Sequence, residues 1–248
     1  MPLSPRTIHR IARPPYPSRS VFHPHGILAT GFVCNGCWNK HFNQLSAKRD
    51  LDEPKATGTI FLIARNLREW APLFKVLCDV SGRLESATKE NITSLMSQGR
   101  NLAIIPGGFE DATLHEYGKN RTCMKPRKGL VKYALQHGYA LTPIYSFGES
   151  QTYHTFTWLL KWRLWLNKFS IPGVLFFGNP LLPIFPRVQS QVLSYVGEPL
   201  QLPRIPNPTK DEIDLWHSKY LDALVHLFNT HKGEVAKLGI SASELEIY

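Results

Sequence analysis

Residues 101–111 read Asn101-Leu102-Ala103-Ile104-Ile105-Pro106-Gly107-Gly108-Phe109-Glu110-Asp111, and this stretch decides the fold. After Asn101 the run to Ile105 has no polar position, the pattern of a strand covered on both faces, and Pro106-Gly107-Gly108 ends it abruptly. On either side of it, strand and helix periods alternate. Upstream, Ser86 to Gln98 has helical spacing, with Ser86 as N-cap and Gly99 beyond its end; before it come a buried strand, Thr59 to Ala64, and helical spacing from Glu69 to Leu77. Downstream, Lys128 to His137 is a helix closed by Gly138 and followed by the strand Tyr139 to Tyr145. Strands without polar positions that alternate with helices predict an α/β fold, a mainly parallel sheet flanked by helices. The last third changes character, with Pro199, Pro203, Pro206 and Pro208 ahead of a final helix, Asp211 to Thr230, capped by Thr209.

With 248 residues, 43% hydrophobic and 19% charged, the chain suits one domain with a sizeable core. Twenty-nine Lys and Arg against 19 Asp and Glu leave a net charge of +10, a field that attracts phosphates on lipid, cofactor or nucleic acid. Nucleic acid is disfavoured, since the chain lacks a zinc finger, an RNA-recognition aromatic motif and a basic DNA-reading helix. Cys34, Cys37, Cys78 and Cys123 are too few and too irregular for a disulfide scaffold and point to reduced thiols facing cytosol. The sequon at Asn91 falls in helical sequence and carries little weight. No uncharged apolar run reaches the roughly 18 to 20 residues of a spanning helix. The longest, Ile171 to Phe185, has 15 and is broken by Pro172, Pro180 and Pro183. Residues 1–20 hold four arginines, five prolines and no acid and are expected to be disordered, ahead of one domain over 21–248.

Three clusters carry chemistry. In Phe22-His23-Pro24-His25-Gly26 a proline stiffens the backbone between two imidazoles and a glycine allows close approach, so a histidine is presented rigidly at a turn, as a general base requires. Gly107 and Gly108 follow a buried parallel strand, where open α/β sheets place ligands; their N–H groups suit an oxyanion, and Glu110 or Asp111 suits an imidazole. The lysine and Ser/Thr of a phosphate-binding P-loop are absent there. Arg121, Lys125, Arg127 and Lys128 lie just ahead of a helix N-terminus, a phosphate site by composition and dipole. From Trp158 to Phe169, spacing puts Trp158, Leu159, Trp162, Trp165, Leu166 and Phe169 on one helical face beside Lys161, Arg163 and Lys168, the composition of a helix lying in the headgroup plane. The broken run Ile171 to Phe185 then dips into the bilayer or lines an acyl channel.

In order along the chain, His23-Pro24-His25-Gly26, the strand-ending Gly107-Gly108 with its acids, and Arg127-Lys128-Gly129-Leu130-Val131-Lys132 resemble the type 2 diacylglycerol and monoacylglycerol acyltransferase family. Tyr145-Ser146-Phe147-Gly148-Glu149, Val196-Gly197-Glu198-Pro199 and Asp214-Leu215-Trp216-His217-Ser218-Lys219-Tyr220 resemble its later blocks, so the likeness runs from about Val21 to Tyr248. It implies a fold related to the glycerolipid acyltransferases, with acyl-CoA as co-substrate and no resident cofactor. The acceptor it implies is diacylglycerol or a similar neutral glycerolipid, with monoacylglycerol or a long-chain alcohol as alternatives. It places the protein at the endoplasmic reticulum membrane or a lipid droplet, with the catalytic domain facing cytosol. By position, His25 is the base, His23 and Gly26 shape its turn, and Asp111 stands where the family usually has glutamate, with Glu110 beside it as an alternative partner. The family usually carries a hydrophobic segment ahead of His-Pro-His-Gly, whereas the 22 residues before His23 are polar and basic. Membrane contact through the tryptophan face, or a chain start placed too late, accounts for that.

Three other readings compete, one of them a non-enzymatic lipid-binding protein. His23, His25, Cys34 and Cys37 contain His-x-His and Cys-x-x-Cys pairs that suit zinc, although the deaminase signature is missing. Cys34 or Cys123 as a thiol nucleophile has no histidine tied to it by sequence.

Overall fold

The computed structural model describes residues 17–47, 58–65, 68, 79, 83–169 and 173–248. The helix expected from Glu69 to Leu77 lies outside the described residues, as do Ile171 and Pro172.

In chain order the first elements are β1 (Ser18–His23), a π-helix α1 (Gly31–Cys37), α2 (Lys40–Ala47), β2 (Ile60–Ile63), β3 (Leu84–Ser86), α3 (Lys89–Ser97), β4 (Leu102–Ile104) and α4 (Gly108–Leu114). They are followed by β5 (Asn120–Thr122), α5 (Gly129–His137), β6 (Ala140–Phe147), β7 (His154–Thr155), α6 (Leu160–Leu166) and β8 (Phe176–Phe177). The chain closes with β9 (Leu193–Val196), β10 (Leu200–Gln201), α7 (Lys210–Ala236) and β11 (Leu245–Ile247). The main sheet runs β10-β6-β1-β4-β2-β3 with β9 also on β6. From β3 to β6 every pairing is parallel, and β9 and β10 add an antiparallel edge. The expected α/β architecture with a mainly parallel sheet is therefore present.

Alternation along β1 explains the layers. Val21 faces a core shared with Leu95 of α3, Leu130, Val131 and Leu135 of α5, and Tyr220 of α7. Phe22 points the other way, into a cluster with Phe32 of α1, Phe42 of α2 and Phe61 of β2. There the rings of Phe22 and Phe32 meet edge to face at 5.2 Å, the geometry aromatic pairs prefer. β1 begins at Ser18, so residues 18–20, expected in the disordered segment, are the first half of the central strand; pairing with β4 and β6 on both sides holds them there.

Two helix boundaries differ from expectation. Ser86 pairs with Ile63 in the sheet, and Thr88 is the N-cap of α3, accepting the Asn91 N–H. Thr209 does cap α7, in a capping box with Glu212, but the helix runs on from Thr230 to Ala236 because Leu227, Phe228 and Val235 bury against Tyr145 and Phe147. Among the described residues no helix is long and apolar enough to cross a membrane.

Candidate active site

β1, β4 and β6 lie side by side and parallel, so their chains leave at one edge of the sheet, the edge where open α/β sheets bind ligands. β1 delivers Pro24-His25-Gly26, β4 delivers Pro106-Gly107 and α4, and β6 delivers Gly148-Glu149.

His25 is half-buried, and its main-chain N–H donates to Asp111 Oδ2 at 2.9 Å. Its ring Nδ1 is 3.1 Å from the Gly26 carbonyl. A carbonyl only accepts, so Nδ1 carries a proton, and in the neutral ring the lone pair is on Nε2. Nε2 has no hydrogen-bond partner among the described residues.

Asp111, 2% exposed, is the hub of the turn. Besides the His25 N–H it accepts the Cys123 N–H and the Thr122 hydroxyl, the latter at 3.2 Å. Burial pushes its carboxyl pKa up, while the N–H groups of His25 and Cys123, the charge of His25 and the Thr122 hydroxyl pull it back. A Cβ on Gly107 would fall 1.9 Å from Asp111 Cγ, so only glycine lets the carboxylate fold back over the start of α4. Asp111 thus does stand beside His25, but it grips the backbone and not the imidazole. Glu110 is engaged elsewhere: its Oε2 lies 2.6 Å from Arg127 Nη2, which makes it that cation's partner.

His23 is fully buried and structural, with Nδ1 3.3 Å from the Thr122 hydroxyl and Nε2 2.9 Å from the Tyr220 hydroxyl. Burial lowers its pKa to about 3, so it is neutral. Both of its nitrogens are engaged, which removes it from the zinc set, and no group of three or more His, Cys, Asp or Glu suited to a metal occurs among the described residues.

A second buried acid, Glu149, ends the block Tyr145-Ser146-Phe147-Gly148-Glu149, where nothing local marks it as part of the site. It is 1% exposed and accepts the N–H groups of Thr30 and Gly31 at 2.9 and 2.7 Å, pinning the start of α1. Its side chain also fills the space under Gly26, where φ is +59° and a Cβ would meet Glu149 Cγ at 2.5 Å. Burial raises its pKa to about 7 against the pull of those N–H donors. Tyr220, at the end of its own sequence block, and Thr122 carry no local signal of their contacts with His23.

Three of the four expected phosphate-binding cations are already matched to acids. Arg121 lies 2.7 Å from Glu116 and 3.0 Å from Glu246, Arg127 pairs with Glu110, and Lys128 lies 2.6 Å from Asp214. Lys125 is exposed and has no acidic partner among the described residues.

The tryptophan segment differs from a simple amphipathic helix. Leu159 takes a left-handed φ of 55°, so α6 starts at Leu160 and Trp158 stands outside it. Within α6 the polarity is inverted: Arg163 is 6% exposed, while Trp162 and Trp165 are 56% and 48% exposed. Arg163, expected among the solvated cations, instead donates to the carbonyls of Gly173 at 2.6 Å and Thr113 at 2.8 Å. Asn167 accepts the Thr113 hydroxyl and donates to the Phe109 carbonyl, bolting this segment to α4 and hence to Asp111. Trp158, Phe169, Leu175, Phe177, Leu181, Ile184 and Phe185 extend the exposed apolar surface.

The sequence model of the diacylglycerol acyltransferase family matches residues 20–246. Among curated relatives, the diacylglycerol O-acyltransferase 2 of Homo sapiens is 31% identical over 90% of this chain and 58% of its own length, and that of Xenopus laevis 32% identical over 92% and 64%. The relative of the same name from Dictyostelium discoideum is 28% identical over 87% of this chain and 66% of its own length. The chain therefore spans 58% of the length of its human relative. No solved structure matches it. The match spans nearly every described element, and the chain belongs to the diacylglycerol acyltransferase family.

Proposed function

We propose that the protein transfers a fatty acyl group from acyl-CoA to the hydroxyl of diacylglycerol, making triacylglycerol, on a fold related to that of the glycerolipid acyltransferases. The observation that carries this reading is the state of His25: Nδ1 is tied to the Gly26 carbonyl, and Nε2 is left with an open lone pair at the ligand edge of the sheet.

The acceptor hydroxyl gives its proton to Nε2 as its oxygen attacks the thioester carbonyl. The tetrahedral intermediate then expels the coenzyme A thiolate, which takes the proton back from the imidazolium. Asp111 holds the turn and lends negative charge to the protonated ring. N–H groups of the Gly107-Gly108 turn stabilise the oxyanion, an effect of roughly 3 kcal/mol per well-placed donor in other enzymes. Lys125 is the cation best placed to meet a coenzyme A phosphate; Arg121, Arg127 and Lys128 do so by exchanging a carboxylate for it. No resident cofactor enters.

Both substrates are lipids, and the inverted α6 suits a protein resting on an apolar surface: Arg163 turned inward and Trp158, Trp162 and Trp165 turned outward suit the endoplasmic reticulum membrane or a lipid droplet.

The test is expression in cells unable to make neutral lipid, supplied in turn with diacylglycerol, monoacylglycerol and a long-chain alcohol. Triacylglycerol should form with the wild-type protein and vanish with His25→Gln present at equal level. Normal turnover by that variant overturns the base assignment, and a wax ester or diacylglycerol as the main product moves the acceptor.

A further inference from the structure

Outside the residues that hold the catalytic turn, a cavity of about 230 Å³ is lined by Tyr117, Gln151, Arg187, Gln189, Ser190 and Gln191 together with residues 238–240. That volume is below the roughly 300 to 1,000 Å³ of sites that enclose drug-sized ligands, so it takes a small polar group and not an acyl chain or a whole nucleotide. Arg187 is its cation, and no carboxylate pairs with it among the described residues. The guanidinium is held by aromatic groups: it lies 5.1 Å above the Tyr117 ring and donates to His154 Nε2. That imidazole is itself stacked between Tyr117 at 4.3 Å and Phe177 at 5.2 Å. An arginine positioned this way keeps donors of its planar fork for an oxyanion, and the side-chain amides of Gln151, Gln189 and Gln191 around it add neutral donors, the Ser190 hydroxyl being spent on the Arg187 carbonyl. Phosphate is the anion such a fork matches.

The setting selects which phosphate. Val188, beside Arg187, is 80% exposed, and Ile184 and Phe185 just before it are 65% and 57% exposed. Phe177, the outer ring of the stack, is itself 57% exposed, as Trp158, Trp162 and Trp165 are exposed. Exposed Lys161 and Lys168 on and beside α6 have no acidic partner among the described residues and complement an anionic surface. A phosphate that reaches Arg187 while these apolar neighbours sit among acyl chains is one carried by a phospholipid headgroup.

We propose that the Arg187 cavity takes the phosphate of an anionic phospholipid headgroup and so orients the protein on its membrane. This rests on the membrane-docked reading above and adds a lipid class to it.

The experiment is flotation of the full chain with vesicles of phosphatidylcholine alone and of phosphatidylcholine mixed with phosphatidylserine. Wild type should bind both and prefer the mixture. Arg187→Gln should keep phosphatidylcholine binding and weaken binding to the mixture about fivefold, the effect of one basic residue near an anionic surface. Arg187→Lys should recover only part of that loss, because an ammonium lacks the fork. If Arg187→Gln does not fold, Gln189→Glu with Gln191→Glu, both at exposed positions, should abolish the preference instead. An unchanged preference in these variants overturns the proposal, as does an unchanged preference with a raised KM for acyl-CoA, which would hand Arg187 to coenzyme A. Trp158, Trp162 and Trp165 changed together to Ser should lose both vesicle types. Wild type floating with neither overturns the membrane-docked reading itself, and the pocket's lipid with it.

Discussion

The carboxylate of Asp111 accepts the main-chain N–H of His25 at 2.9 Å, while the imidazole of His25 turns its own Nδ1 to the Gly26 carbonyl. Under the proposed function the acid therefore places the base through the backbone. Asp111→Asn puts an amide where three donors converge, and the turn should shift. We expect kcat to fall by about 10²-fold, the scale of a small misplacement of a reacting group. Stability should drop by about 1–3 kcal/mol from the poorly satisfied donors. Steady-state kinetics and urea unfolding measure the two, and an unaltered kcat contradicts the positioning role.

The two histidines of the motif should separate cleanly. His23→Ala leaves the Thr122 and Tyr220 hydroxyls without their partner in a fully buried site and should cost about 2–4 kcal/mol. His25→Ala, at a half-buried position, should unfold near the wild-type midpoint and lose activity. Equal stability losses would merge the two roles.

Glu149 gives a pH signature. In the folded protein its pKa is raised from 4.5 to about 7, so its share of stability is full below about 4.5 and is lost as pH rises through 7, about 3 kcal/mol over that span. His23, lowered from 6.5 to about 3, acts in the opposite sense: its share is present above 6.5 and is lost as pH falls toward 3. Wild type and Glu149→Gln should therefore be compared at each pH, so that the histidine contribution cancels. The variant should gain on wild type between pH 5 and 8, and parallel unfolding curves refute the shift.

Gly107→Ala should be among the most damaging single-methyl changes. Its Cβ would occupy the position of the Asp111 carboxyl group, at 1.9 Å from Cγ, and the helical φ of −63° at this residue offers no relief. A loss of about 10²-fold in activity is expected. Gly129→Ala, with nothing near its Cβ, is the control and should be near neutral.

Arg163→Leu removes the donors to the Gly173 and Thr113 carbonyls and should cost about 1–3 kcal/mol for each acceptor left unpaired. Because Asn167 would then carry the remaining side-chain hydrogen bonds from this segment to α4 among the described residues, limited proteolysis should cut between 156 and 175 faster than in wild type.

The parallel sheet and the His25 turn were readable because they rest on local signals: apolar runs closed by glycine, and a proline between two histidines. Roles that depend on distant chain segments were not. Nothing in Tyr145-Ser146-Phe147-Gly148-Glu149 says that its last carboxylate will sit under Gly26, and nothing in Asp214 to Tyr220 says that its last hydroxyl will meet His23. Charge patterning could not show that Arg121, Arg127 and Lys128 have carboxylate partners, since a cation-rich loop reads the same whether its acids lie elsewhere in the fold or not. It misled for Arg163, where the usual rule that charge faces outward fails on a helix whose outward side carries exposed tryptophan.

The central place of β1 has a consequence for how the protein is made. The strand that carries His25 leaves the ribosome early, but its neighbours β4 and β6 come much later, and the Tyr220 hydroxyl that satisfies His23 later still. Until Phe147 has emerged the strand lacks its full partner on one side, and the Val21 core lacks Tyr220 until α7 follows. Assembly of the catalytic turn is thus a late, non-local event, of the kind that slows folding and exposes apolar strand edges meanwhile. A nascent chain stalled before α7 should hold every residue of the His-Pro-His-Gly turn and yet have no working site.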